Sequence, residues 1–153
     1  FKPFKAGDWI SVNGVEGSVK SIHLINTAIA TKENRIVFIP NSAITSNNLM
    51  NSNYEETRYI TFVFGINYNA DHHWAIEIIK EILASTGKVH NMDTLEIGIK
   101  EFGDSSVNIV AYPLINASDF REVYYGVMSD VKDRFDAEGI DIPYPQRVVH
   151  MAN

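Results

Sequence analysis

The chain has 153 residues, 45% of them hydrophobic, no cysteine and a formal charge of −6. This is enough apolar material for one ordinary domain or two small ones, while the missing cysteines exclude disulfides and thiolate zinc sites. A net-acidic chain also argues against general nucleic-acid binding, whose affinity comes mainly from cationic contacts to phosphate.

The charge is uneven: residues 1–50 carry five Lys/Arg against three Asp/Glu, and residues 51–153 carry eight against sixteen, giving +2 and −8. Such a split suits a first half facing anionic lipid, although chance produces it equally well. No apolar run approaches the roughly 20 residues that span a bilayer as a helix, and no charged-then-apolar signal opens the chain. Phe1 stands where a methionine would and runs almost directly into a folded-looking motif, so further sequence is expected upstream.

In chain order, short β runs come first: Asp8–Val12, Gly17–His23, Thr27–Thr31 and Arg35–Ile39, separated by Asn13-Gly14 and by Lys32-Glu33-Asn34. Asn-Gly tolerates the positive φ of a tight hairpin turn. Strands so closely spaced predict a small barrel-like β domain over residues 1–50, since closing or nearly closing a sheet removes exposed edges. The polar stretch Ser46–Asn53 is read as the domain boundary.

The next segment, residues 51–145, alternates strand and helix periods. Tyr59–Ile66 reads as a strand, with Ile60, Phe62 and Phe64 on one face. Asp71–Ser85 reads as an amphipathic helix, with Trp74, Ile78 and Ile82 beside Ala75, Ile79 and Leu83, and with Gly87 as its stop. Leu95, Ile97 and Ile99, the Gly103-Asp104 turn and Val107–Leu114 predict an antiparallel hairpin. Ser118–Glu138 carries Phe120, Val123, Tyr124, Val127, Met128, Val131 and Phe135 on one stripe, with Asn116 and Ser118 as N-cap candidates and Gly139 as the stop. A final strand near Gln146–Met151, within residues 146–153, would complete β-α-β-β-α-β, the ferredoxin-like order of an α+β domain.

No catalytic or metal-binding residue is nominated, and no cofactor. His72 and His73 are sequence neighbours and so point about 100° apart on a helix, unlike metal-binding pairs spaced three or four residues apart. His23, His90 and His150 lack sequence-local partners. Asp104-Ser105-Ser106 lacks the Gly-x-Ser-x-Gly nucleophile elbow and reads as a turn. Gly14-Val15-Glu16-Gly17 lacks the Lys-Ser/Thr ending of a phosphate loop, and its glycines are read as permitting sharp β turns. Glu55, Glu56, Asp130, Asp133 and Asp136 read as solvated carboxylates rather than paired acid/base groups.

The Pro3-Phe4-Lys5-Ala6-Gly7-Asp8 opening, Gly14-Val15-Glu16-Gly17, Ile39-Pro40-Asn41, and Phe135-Asp136 with Gly139-Ile140 followed by Pro143-Tyr144-Pro145-Gln146 together resemble one family. They are similar to the cytosolic part of small-conductance mechanosensitive channels, from Pro3 to about Met151. The resemblance implies a Sm-like β-barrel domain, a ferredoxin-like α/β domain and a C-terminal strand that either finishes the sheet or enters an intersubunit β-barrel. It implies a homoheptamer enclosing a vestibule with side portals, joined to the membrane through N-terminal transmembrane helices that this sequence does not contain. The expected setting is the inner membrane of a prokaryote, or an organelle membrane, with this part facing the cytoplasm. The expected activity is release of ions and small osmolytes when tension opens the pore.

By that resemblance, Asn41 and Ser42 occupy a Pro-Asn-Gly turn that meets the pore-lining helix, with Ser42 in place of the common glycine. Ile25 is the apolar residue near the membrane-facing end of the β domain. Glu55, Glu56, Arg58 and Thr61 are candidates for lining the portals, and Phe1, Lys2, Phe4 and Lys5 for the membrane interface. Two other classes stand beside this one. A soluble RNA-binding or ligand-binding module would need a basic groove with stacking aromatics, and an enzyme would need converging polar groups.

Overall fold

The computed structural model describes residues 3–152. The chain divides into two compact units, Phe1–Arg58 and Tyr59–Asn153.

In the first unit, β1 (Trp9–Val12), β2 (Val15–Ile22), β3 (Asn26–Ala30) and β4 (Ile36–Pro40) lead into a short helix, α1 (Asn41–Thr45), and then β5 (Leu49–Asn51). They form one five-stranded antiparallel sheet in the order β4-β3-β2-β1-β5. The two-residue Asn13-Gly14 turn has φ of 53° and 77°, and it pairs Val12 with Val15. Alternate residues point inward, so Ile10, Val12, Val19, Ile29 and Ile39 make the core, with Ile44 of α1 closing it.

The division falls later than the polar stretch suggested. Asparagines there serve the first unit: the Asn51 Nδ2 donates to the Pro3 carbonyl at 3.0 Å and to Asp8 Oδ2 at 2.9 Å. The Trp9 amide donates to Asn53 Oδ1 at 2.8 Å, and the Ser52 amide to the Trp9 carbonyl at 2.9 Å. Gly17 also departs from expectation. It lies inside β2 rather than at a turn, and a Cβ there would stand 2.3 Å from the Ala30 carbonyl oxygen and 2.7 Å from Ile29 Cγ2. Its role is close approach of backbone to backbone, whereas Gly14 supplies positive φ.

The run Thr57–Ile66 is not one strand. β6 (Thr57–Tyr59) spans the division, and β7 (Phe62–Ile66) starts after a break at Ile60-Thr61. Its counterpart is Pro113, which has no amide to donate and separates β9 (Val107–Ala111) from β10 (Leu114–Asn116). The Ile60 amide donates to the Pro113 carbonyl at 2.9 Å.

With β8 (Ile97–Phe102), the second unit forms an antiparallel sheet ordered β7-β9-β8. Two helices pack on it, α2 (His72–Ser85) and α3 (Phe120–Glu138). Asp71 caps α2 by accepting from the Trp74 amide at 3.1 Å, and Gly139 ends α3 with φ 73°. Phe62, Phe64, Ile66 and Ile109 of the sheet meet Ile78, Ile79 and Leu83 of α2 and Val123, Val127, Val131 and Phe135 of α3. Trp74, expected on the buried stripe, is exposed at the first turn of α2. Lys88 ties the loop after α2 to the start of α3, 2.8 Å from Glu122 Oε2 and 3.3 Å from Asp119 Oδ1. Those bonds, to Glu122 first and then Asp119, hold its ammonium pKa above the ordinary lysine value.

The expected final strand is absent: residues 141–152 contain no strand. Pro143 and Pro145 withhold two ladder donors. The segment instead crosses the end of the sheet, where the Asn67 amide donates to the Asp141 carbonyl at 2.9 Å and the Gln146 amide donates to Ser105 Oγ at 3.1 Å. Val148, Val149 and Met151 beyond it are exposed. Within the chain the order is therefore β-α-β-β-α.

Gly17→Ala is expected to destabilise the first unit by about 1–3 kcal/mol through overpacking, whereas Gly98→Ala on β8, with open space around it, should stay within about 0.5 kcal/mol. Urea denaturation read by Trp9 fluorescence in a Trp74→Phe background checks the first, and far-UV circular dichroism checks the second.

Candidate functional site

The loop between β2 and β3, residues 23–25, carries two of the most exposed apolar side chains in the first unit: Leu24 is 95% exposed and Ile25 74%. Nevertheless its backbone is tightly held. The His23 amide donates to the Asn26 carbonyl at 2.8 Å, closing a four-residue turn, and Ser21 Oγ lies 2.8 Å from His23 Nε2.

The main anchor comes from Asn41, the first residue of α1, which the β3–β4 pairing brings alongside because Asn26 lies opposite Pro40. The Asn41 amide donates to the Ile25 carbonyl at 2.8 Å. Its side-chain Nδ2 donates to the His23 carbonyl at 2.8 Å and to the Leu24 carbonyl at 3.2 Å. Its Oδ1 accepts from Thr27 Oγ1 at 2.7 Å, and Thr27 is completely buried. All three loop carbonyls therefore end on one residue, and the two that its side chain serves fix which way its carboxamide points, since only the NH2 end can donate to them.

Asn41 and Ile25, nominated separately from sequence, are thus brought together, and Leu24 joins them. Leu24 was missed because an exposed leucine carries no signal until its loop is seen to be rigid. Ser42 is adjacent: its carbonyl accepts from the Ser46 amide and from Thr45 Oγ1, both at 3.1 Å. It does not have positive φ, so the backbone here does not require glycine.

Beside this loop lies a largely apolar cleft of about 440 Å³, lined by Pro3, Phe4, Ile22, Asn41, Ile44, Thr45, Asn47 and Leu49. The first described residues form one wall. They are held by the buried Asp8, whose Oδ2 accepts from the Lys5 amide at 3.0 Å as well as from Asn51. Phe4 is half-buried and Lys5 exposed. Phe1 and Lys2 lie outside the described residues. Of the remaining nominees, Glu55 and Glu56 are exposed ahead of β6, Arg58 is half-buried within it, and Thr61 is exposed in the break before β7. The His72 and His73 rings lie 4.1 Å apart. Among the described residues no group of three or more His, Asp or Glu side chains could hold a metal ion, and no helix is long and apolar enough to cross a membrane.

The family described as "Mechanosensitive ion channel, beta-domain" matches residues 1–54, and "Mechanosensitive ion channel MscS, C-terminal" matches residues 60–142. The chain is 31% identical over 151 residues to a small-conductance mechanosensitive channel of Edwardsiella ictaluri, covering 99% of this chain and 53% of that protein. It is 34% identical over 151 residues to an uncharacterized MscS family protein of Synechocystis, covering 99% and 51%. The closed-state crystal structure of Helicobacter pylori MscS superposes with a TM-score of 0.87 at 30% identity, covering 99% of this chain and 60% of that one. The chain thus spans about half the length of the curated relatives it matches.

Asn41→Ala is expected to cost about 1–3 kcal/mol, chiefly by leaving the buried Thr27 hydroxyl without its acceptor. Adding Thr27→Val to that variant should restore part of the loss, because the stranded hydroxyl is then gone. Denaturation midpoints for the four combinations check this, together with faster amide hydrogen exchange at position 41 and at His23 in the Asn41→Ala variant.

Proposed function

The chain belongs to the MscS family of mechanosensitive ion channels, and from that membership we propose that it is the cytosolic vestibule part of a channel that membrane tension opens to release ions and small osmolytes on hypoosmotic shock. The carrying observation is the tandem match of both family domains in order, together with near-complete superposition of this chain on part of a closed channel. In this reading the pore helices precede the chain, the protein sits in the inner membrane of a prokaryote with this part facing the cytoplasm, and copies of it assemble as a homoheptamer.

Such a pore opens by widening an apolar constriction until it wets. The constriction lies in the preceding helices, and the first unit contacts them. A gate is coupled to a neighbouring domain only if the touching surface moves as a body, and the β2–β3 loop meets that requirement through its bonds to Asn41. Leu24 and Ile25 then make the apolar contact with the pore helix, while Asn41 and Ser42 position it. Glu55, Glu56, Arg58 and Thr61 border the side portals and bias the charge of permeating solutes. Phe1, Lys2, Phe4 and Lys5 form the transition from pore helix to β domain, where aromatic and basic residues suit the cytosolic interface of a membrane.

The full-length protein should restore survival of hypoosmotic shock to cells lacking their own mechanosensitive channels; failure to restore it, with membrane insertion verified, counts against the channel reading. In the same protein, replacing Leu24 and Ile25 together by Asn should leave assembly intact and speed the loss of current under sustained tension in patch recordings. An unchanged time course rejects the loop as the coupling element. Ser42→Gly, which the backbone accommodates without strain, is expected to change recovery from that inactivated state, and identical recovery would assign Ser42 to a simple turn.

A further inference from the structure

We propose that the cleft between Tyr59 and Tyr112 in the second unit binds a small organic cation carrying a quaternary ammonium group. The cleft measures about 350 Å³ and is lined by Tyr59, Asn91, Thr94, Glu96 and Tyr112. This is the small end of the range of roughly 300–1,000 Å³ typical of ligand pockets.

Its construction follows from the strand register. Phe62 lies opposite Ala111, and both are buried beneath the helices. Strand alternation therefore turns Thr61, Tyr59 and Tyr112 to the opposite face. The Tyr112 amide donates to the Glu96 carbonyl at 3.0 Å, which continues the β8–β9 pairing by one rung and brings Glu96 beside the phenol.

Asn91 braces the floor. Its Oδ1 accepts from the Leu114 amide at 2.8 Å and its Nδ2 donates to the Tyr112 carbonyl at 3.2 Å, so this amide is committed to the backbone. In contrast, the Glu96 carboxylate and the hydroxyls of Tyr59 and Tyr112 enter no hydrogen bond or ion pair among the described residues.

The chemistry of this lining selects among ligands. An unpaired carboxylate repels anions, and it stands in a unit with seven Lys/Arg against fourteen Asp/Glu over residues 59–153, a net −7. A bare metal ion would need several oxygen ligands, whereas the cleft offers one carboxylate. A quaternary ammonium has no hydrogen to donate, so it needs only negative potential and apolar contact. Two tyrosine side chains lining the cleft beside a carboxylate can supply both, since an aromatic ring's quadrupole attracts a cation lying over its face. The site is complete within the second unit, so its test does not depend on the channel reading.

The test titrates choline chloride into the isotope-labelled chain at constant ionic strength and follows backbone amide shifts. A parallel titration uses the neutral alcohol in which carbon replaces the ammonium nitrogen. Choline should give saturable shifts at residues 94–97, Tyr112 and Leu114, and the neutral isostere should bind about fivefold more weakly, the size of an exposed cation–π and charge contribution. Glu96→Gln should lose about the same factor for choline and none for the isostere. Tyr59→Leu, at a side chain 59% exposed and outside the core, should also weaken choline without altering the denaturation midpoint. Equal affinity for choline and its isostere overturns the proposal, as does saturation elsewhere on the chain, no saturable shift, or unchanged choline binding in Glu96→Gln.

Discussion

The Asn41 carboxamide is surrounded by groups that would otherwise lack partners: two loop carbonyls on its nitrogen side and the hydroxyl of the buried Thr27 on its oxygen side. Exchanging the nitrogen and oxygen would set the amide oxygen against two carbonyl acceptors, and although the Thr27 hydroxyl could turn to accept, the carbonyls leave only one orientation satisfied. That single constraint joins β3, α1 and the β2–β3 loop. It is also what allows Leu24 and Ile25 to be exposed and yet fixed, because a loop with free carbonyls would trade them with water and wander. Side chains of other types fail at this position for definite reasons: Asp lacks the donor, and Ser does not reach both carbonyls.

The two units solve the same burial problem with different means. The first has a small apolar cluster and supplements it with polar bracing, in which Asp8 and Asn51 hold the start of the chain against β1 and β5. Gly17 adds an approach of β2 to β3 too close for any side chain. The second relies on a larger apolar layer between one sheet and two helices, reinforced by stacked rings such as Phe62 with Tyr124. Polar substitutions are therefore felt most at specific atoms in the first unit, and volume changes most in the layer of the second.

Much of this was legible from local pattern. Strands β1 to β4 lie within one or two residues of their period-2 runs, and α2 and α3 follow their apolar stripes between Asp71 and the stops at Gly87 and Gly139. What escaped depended on distant partners. Asn51 looks like linker chemistry until Asp8, 43 residues away, and Pro3, 48 away, are beside it. Leu49–Asn51 is a strand because β1 has an open edge. Residues 146–151, rich in β-compatible valine, make no strand, because Pro143 and Pro145 carry them across the sheet end rather than along an edge. The five-residue α1 is too short to show a period. At the site, Asn41 read as part of a turn and Ile25 as an apolar residue near the membrane-facing end of the β domain, and neither hinted at the shared backbone bonds that make them one feature.

Force passing through a protein displaces its softest connection first, so the distribution of bonding in the first unit bears on the proposed coupling. The β2–β3 loop is fastened to α1 by three bonds to Asn41, and α1 is itself seated in the core by Ile44. A push on Leu24 or Ile25 is therefore delivered to the sheet as a whole instead of being absorbed by bending the loop. The last described residues are the opposite case: past the Gln146 bond to Ser105 they include exposed apolar side chains and have no strand partner among the described residues. A loop bonded as firmly as that between β2 and β3 meets the mechanical requirement that the proposed contact with a pore helix places on the first unit.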